Sequence, residues 1–244
     1  MKFTDSHPPR FRGSYIFVPL ILVLCSFARA GYVDPADFDF RALLPPPPAI
    51  GSAQQSAEID VMLKLQSERT PADVKRIKKE SKMTGFIFSE CLGSWFNSDD
   101  LPVTADFLGK VFDDSKSVCS AAKKVFQRER PYLTDSRIHP CETEDTYSYP
   151  SSHSTRAMVL AMTISKIFPD QKSALIAIGR EIGDDRALAG QHVPSDVAAG
   201  RILADAIFKK MMQNPTFQAD LAKAETECQL KEPQSNSAAP TTQP

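Results

Sequence analysis

Histidine is scarce in this chain of 244 residues: it has four, and His7 lies in an N-terminal stretch that reads as a removable leader. No Cys or His pair has the close spacing of a zinc site, and His139, followed by Pro140 and Cys141, has no ligand set around it, so no metal site is expected. Runs of alternating β-branched residues are missing, which argues against a sheet. There is no internal repeat. Beyond residue 30 no apolar run approaches the roughly 20 residues needed to cross a bilayer, so stable membrane insertion is not expected. Charge of one sign is also missing. Once Lys2, Arg10, Arg12, Arg29 and Asp5 are set aside from 29 basic and 30 acidic residues, the remainder is acidic by about four charges. Such a surface has no general affinity for nucleic acid or anionic membrane, so any anion site must be a local cluster.

The leader has Lys2, Arg10 and Arg12 ahead of an apolar run from Tyr15 to Phe27, then Ala28-Arg29-Ala30. Small residues at those positions suit a signal peptidase, and cleavage is expected after Ala30, giving a periplasmic or secreted protein. Cys25 leaves with residues 1–30. Cys91, Cys119, Cys141 and Cys228 remain, an even number that permits disulfides without choosing among pairings. The tail, residues 233–244, is rich in Ser, Ala, Gln, Thr and Pro and is expected to be disordered.

Between these ends the apolar spacing is helical, and an all-α, single-domain helical bundle is expected over residues 31–232. Residues 31–51 form a Pro-rich, extended N-terminal segment in which Pro45 to Pro48 lies over the surface. Helices are expected from Ser52 to Ser67, from the capped start Thr70-Pro71-Ala72-Asp73, and from Ala105 to Arg130 with a break near Asp113-Asp114-Ser115. Others run over Ser152–Phe168, Lys172–Leu188 and Pro194–Met212.

Three stretches carry the chemistry. Lys123 and Arg130 are seven residues apart, about two helical turns, so they face nearly one side and border the stripe of Val118, Ala122 and Phe126, with Lys124 and Arg128 pointing elsewhere. Pro131 favours a loop at Arg130 that helps close a site. In Pro150-Ser151-Ser152-His153, Ser151 or Ser152 caps the next helix, and first-turn backbone N–H groups are left to bind an anion beside His153. In Arg186 to Asp196, the carboxylate of Asp196 stands four residues beyond His192. It can accept from one ring nitrogen and leave the other as a directed lone pair.

In order and spacing these stretches match a signature of Lys, six residues, Arg-Pro; Pro-Ser-Gly-His; and Ser-Arg, five residues, His, three residues, Asp. The chain resembles the superfamily of bacterial acid phosphatases, lipid phosphatases and vanadium haloperoxidases, and most of all the class A non-specific acid phosphatases. It departs from the pattern twice. Ser152 stands in place of Gly, and Asp185 in place of Ser, where it is expected to turn from a bound phosphate and pair with a nearby cation.

The resemblance implies hydrolysis of small phosphomonoesters with no cofactor. Lys123, Arg130 and Arg186, with backbone N–H groups at Ser151 and Ser152, would hold the phosphate oxygens. His192, oriented by Asp196, would attack phosphorus, and His153 would act as acid and then base. A vanadium-dependent haloperoxidase with the same cradle and a non-catalytic exported phosphate binder are the rival expectations. A lipid phosphatase is disfavoured by the missing spans, and whether the chain forms a homo-oligomer stays open.

Overall fold

In a computed structural model the described residues are 31–233, so the leader and all of the tail beyond Pro233 lie outside them. Among the described residues there is no strand, and seven helices of ten or more residues make up the fold. They are α1 (Ala53–Glu68), α2 (Pro71–Glu80), α3 (Pro102–Phe126), α4 (Ser152–Ile167), α5 (Lys172–Leu188), α6 (Pro194–Met211) and α7 (Pro215–Lys231). No described helix is long and apolar enough to cross a membrane.

Local chemistry sets most of the helix starts. Ser52 caps α1 by accepting from the Gln55 N–H at 3.2 Å, and Thr70 and Asp73 cap α2 reciprocally with Pro71 in its first turn. The expected break in α3 does not occur. Asp114 accepts the Tyr32 N–H at 2.6 Å, and the buried Ser115 hydroxyl donates to the Val111 carbonyl at 2.6 Å. These polar side chains therefore have partners that do not interrupt the helix. The N-terminal segment is likewise not extended throughout: Asp34 and Asp39 each cap a single helical turn, Pro35–Asp37 and Phe40–Leu43. The Pro45 to Pro48 tract itself carries no helix, and the Tyr149 hydroxyl donates to the Pro45 carbonyl.

Helix α4 is the axis of the molecule. Apolar residues occur on all its faces, Met158, Leu160, Ala161 and Ile164 among them, and α3, α5, α6 and α7 pack around it. A helix surrounded in this way holds its first turn in place from several sides. Helix α1 packs elsewhere, through Ile59 and Met62 onto Ile138 and Val193, which brings it beside the loop ahead of α6.

The N-termini of α4 and α6 are clipped together. The Ser151 N–H donates to the Asp196 carbonyl at 2.9 Å, and the Ser154 hydroxyl donates to the Val197 carbonyl at 2.9 Å. Gly200 permits this approach: a Cβ there would lie 2.7 Å from the Ser151 carbonyl oxygen and 2.9 Å from Ser154 Cβ. Because the first of these is backbone, it cannot rotate aside. Gly200→Ala is expected to destabilise the fold by about 1–3 kcal/mol, read from urea unfolding midpoints. An unchanged midpoint would show that the two helices separate at little cost.

Candidate active site

The structure brings the three stretches to one place, the buried end where α3 stops and α4 and α6 begin. Lys123 lies in the last turn of α3 and is buried. Its ammonium donates to the Tyr147 carbonyl and to the Ser148 carbonyl at 3.0 Å, which uses two of its three donors and aims the third. Burial lowers its pKa to about 8, with Arg130 adding to the effect, so it stays charged at acid pH.

Helix α3 ends at Phe126, and Gln127 takes a left-handed conformation (φ 50°). Arg130 therefore sits in a loop and not two turns along the same helix face, yet it reaches the same site. It is buried, and its Nη1 donates to His192 Nε2 at 2.9 Å and to the Gln191 carbonyl at 3.2 Å. Nη2 pairs with Glu144 at 2.6 Å and bonds the Thr146 hydroxyl at 2.9 Å.

The same left-handed turn overturns the expectation for Arg128. Far from pointing elsewhere, Arg128 is buried, with Nη1 2.8 Å from Asp196 Oδ1 and 2.9 Å from the Ser195 hydroxyl. Glu58 of α1 lies 3.6 Å from Nη2 and also accepts the Ser195 N–H at 2.7 Å. Helical phase alone could not reveal this, because the helix had already ended.

His192 follows Gly190, which terminates α5 at φ +76° and lies so close to Pro140 that a Cβ would be 2.9 Å from its Cα. The turn returns the Gln191 N–H to the Arg186 carbonyl at 3.0 Å and places the His192 ring against Asp196. Asp196 Oδ2 is 3.3 Å from His192 Nδ1, accepts the Ser148 hydroxyl, and accepts the Val193 N–H at 3.2 Å. Ser148, which sequence reading missed, is also 3.2 Å from His192 Nδ1.

These contacts assign the tautomer. A guanidinium only donates, so Nε2, facing Arg130, must be the acceptor and Nδ1 must carry the proton. Burial, with the charges of Arg130 and Lys123, lowers the His192 pKa to about 3 against the pull of Asp196. Burial works against ionisation of Asp196 too, but His192, Arg128 and Ser148 outweigh it and hold its pKa below the usual value. The ring is thus neutral and the carboxylate charged.

His153, in the first turn of α4, is buried, and its Nε2 has no hydrogen-bond partner among the described residues. Burial, followed by the charges of Arg186, Arg156 and His192, pushes its pKa well below 6.5. The expected anion donors shift by one residue. Ser151 caps α4 with its hydroxyl, but its N–H is committed to Asp196, which leaves the first-turn N–H groups of Ser152 and His153. The Ser152 side chain turns aside to Cys119 Sγ at 3.3 Å.

Arg186 is buried, 3.2 Å from Glu80 and 3.5 Å from Glu142, with its Nε unpartnered. Asp185 forms a two-point bridge with Arg76, at 2.6 and 2.9 Å, and so pairs with a nearby cation, as expected for this departure. Cys91, Cys119, Cys141 and Cys228 are all free thiols. Among the described residues no group of three His, Cys, Asp or Glu side chains is arranged to hold a metal ion.

Three cations, two neutral imidazoles and two free N–H groups so arranged can bind a compact oxyanion beside the His192 Nε2 lone pair, which in the free site accepts from Arg130. A family model described as the PAP2 superfamily matches residues 112–218, the interval that contains Lys123, Arg130, His153, Arg186, His192 and Asp196. The non-specific acid phosphatase of Providencia stuartii is 30% identical over 200 residues, 78% of this chain and 80% of that protein. The non-specific acid phosphatase of Salmonella typhimurium is 28% identical over 232 residues, 88% of this chain and 92% of that one. A crystal structure of the first transmembrane PAP2 type phosphatidylglycerolphosphate phosphatase from Bacillus subtilis aligns with 67% of this chain and 87% of that one, at 21% identity and a TM-score of 0.47. The 30% identity to the Providencia stuartii enzyme across most of both sequences, over a region holding the whole cation and histidine cluster, places the chain in the PAP2 superfamily as one of its non-specific acid phosphatases.

Proposed function

We propose that the protein is an exported acid phosphatase that hydrolyses small phosphomonoesters through a phosphohistidine intermediate, without a metal. The observation that carries this reading is the pair of contacts on His192: Asp196 at Nδ1 and Arg130 Nη1 at Nε2. They fix the ring with its Nε2 lone pair on Arg130, and a bound phosphoryl group that draws Arg130 Nη1 to its own oxygens leaves that lone pair facing phosphorus.

A phosphoryl group held there by Lys123, Arg130 and Arg186 and by the N–H groups of Ser152 and His153 has its non-bridging charge balanced by fixed donors. His192 Nε2 attacks phosphorus as the bond to the leaving oxygen breaks, and the imidazolium that forms is stabilised by Asp196. His153, protonated as substrate binds, gives that proton to the leaving alkoxide and later takes one from the water that cleaves the P–N bond, so inorganic phosphate forms, His192 returns neutral, and His153 sheds its proton as phosphate leaves. His153 is neutral in the free site and must gain its proton with the substrate. The negative charge of a bound phosphate raises its pKa, which favours activity on the acid side.

The crowd of cations also repels a divalent ion, which supports metal independence. The leader supports export. Purified protein is expected to release the chromophore from a chromogenic phosphomonoester at acid pH, unaffected by chelator and inhibited by vanadate, a mimic of five-coordinate phosphorus. Loss of activity with chelator that returns with added zinc or magnesium would overturn this scheme.

A further inference from the structure

Two buried carboxylates, Asp185 and Glu80, have no part in the phosphate scheme. Asp185 of α5 takes both arms of the Arg76 guanidinium of α2, Nε at 2.6 Å and Nη2 at 2.9 Å. One turn along α2, Glu80 lies 4.0 Å from Arg76 Nε through Oε1 and 3.2 Å from Arg186 Nη2 through Oε2. Glu80 thus stands between a guanidinium already occupied by Asp185 and one that faces the phosphate site. Its hydrogen-bonded cation is Arg186.

We infer that Asp185 and Arg76 are positioning residues that act through Glu80 and set whether Glu80 holds Arg186 or leaves its charge to the phosphate. This rests on the acid phosphatase reading and adds to it a determinant of phosphate affinity that comes from this chain's own departure at Asp185. Asp185 is held by Arg76 but still faces Glu80, and its charge opposes the ionisation of Glu80. An ionised Glu80 then offsets Arg186, whereas a protonated Glu80 leaves Arg186 uncompensated beside the bound anion.

The charged groups around Glu80 are few. Arg76 faces it from α2 and is also 3.0 Å from Asp73 through Nη1, while Lys79 is turned to Glu90. The imidazole of His153 on α4 hydrogen-bonds the backbone of Ser81 and faces Arg186. From α5 come Asp185 and Arg186, with Glu181 3.7 Å from Arg76, and Glu142 lies on the other arm of Arg186. Burial first, then the charge of Asp185, raises the Glu80 carboxyl to about 7 against the pull of Arg186. Below that pH Arg186 belongs to the phosphate; above it a carboxylate competes. Removing the charge of Asp185 lifts the repulsion and leaves Arg76 shared among Asp73, Glu181 and Glu80, so Glu80 ionises at lower pH.

The test is the dissociation constant of inorganic phosphate, measured by calorimetry from pH 5.5 to 8 on the purified protein, on Glu80→Gln and on Asp185→Asn. Ratios between proteins remove the ionisation of phosphate itself. The ratio of wild type to Glu80→Gln is expected to rise about tenfold across this range, the scale of one charge-assisted hydrogen bond. Asp185→Asn is expected to move the weakening to lower pH by about one unit. A purely structural role would shift affinity equally at every pH, and flat ratios for both variants would overturn the inference. Should Glu80→Gln fail to fold, the direction of the Asp185→Asn shift decides alone. Turnover of a chromogenic phosphomonoester is read alongside. Turnover with flat ratios sinks this inference only, and a pH-dependent ratio without turnover supports it while sinking the phosphatase reading.

Discussion

Replacement of His192 by alanine is expected to lower turnover at least about 10⁴-fold and to leave no phosphoenzyme, because Nε2 of this ring is the only attacking atom in the scheme. His153→Ala should fail in another way. The nucleophile survives and the proton donor is lost, so substrates whose leaving groups need no proton still phosphorylate His192, while poor leaving groups lose about 10²- to 10⁴-fold. Water is then no longer activated, and the intermediate accumulates. Acid-labile label from a phosphorus-labelled substrate should appear in quenched His153→Ala and be absent from His192→Ala. The reverse pattern would exchange the roles of the two residues.

The second large effect concerns stability. Asp196 is fully buried and charged, and Arg128 is its cation at 2.8 Å. Arg128→Ala leaves that carboxylate with only the dipoles of Ser148, Val193 and a neutral imidazole, and is expected to cost about 3–5 kcal/mol. The pH dependence follows in sign. A carboxyl held below its unfolded pKa contributes stability that is present above the unfolded value and lost as pH falls through the folded one. Without Arg128 the folded pKa of Asp196 rises, so acid unfolding should begin at higher pH than in the wild type. Urea midpoints across acid pH would measure both effects. A loss under about 1 kcal/mol would mean that Asp196 is protonated or hydrated in the folded protein.

The contrast between Arg128 and His192 shows what the sequence made legible. His192 and Asp196 lie four residues apart at a Pro-initiated helix, a local arrangement that spacing can express. Arg128 was misplaced by a left-handed residue that is not glycine, Gln127, which carries no local signal of a helix end. Helix α5 was legible from Lys172 to Leu188, whereas α7 was missed because it buries so thin a stripe, Phe217, Ala224 and Cys228. An Asn214 cap and Pro215 in the first turn were its one signal. The Arg76 bridge to Asp185 spans 109 residues and the Ser148 contact with Asp196 spans 48, and no window of sequence contains either. Only the general form of the first was open to argument, namely that an acid beside a phosphate-binding arginine must find another cation.

The clip between α4 and α6 bears on how this protein ages and fails. His153 begins one of the clipped helices and Asp196, which orients His192, begins the other, so their separation is fixed by packed backbone and not by a pliable loop. Local fraying cannot part them while the core around α4 survives. Heat or denaturant should therefore extinguish activity in the same transition that melts the helices, and a preparation that has lost half its activity should hold intact and collapsed molecules side by side.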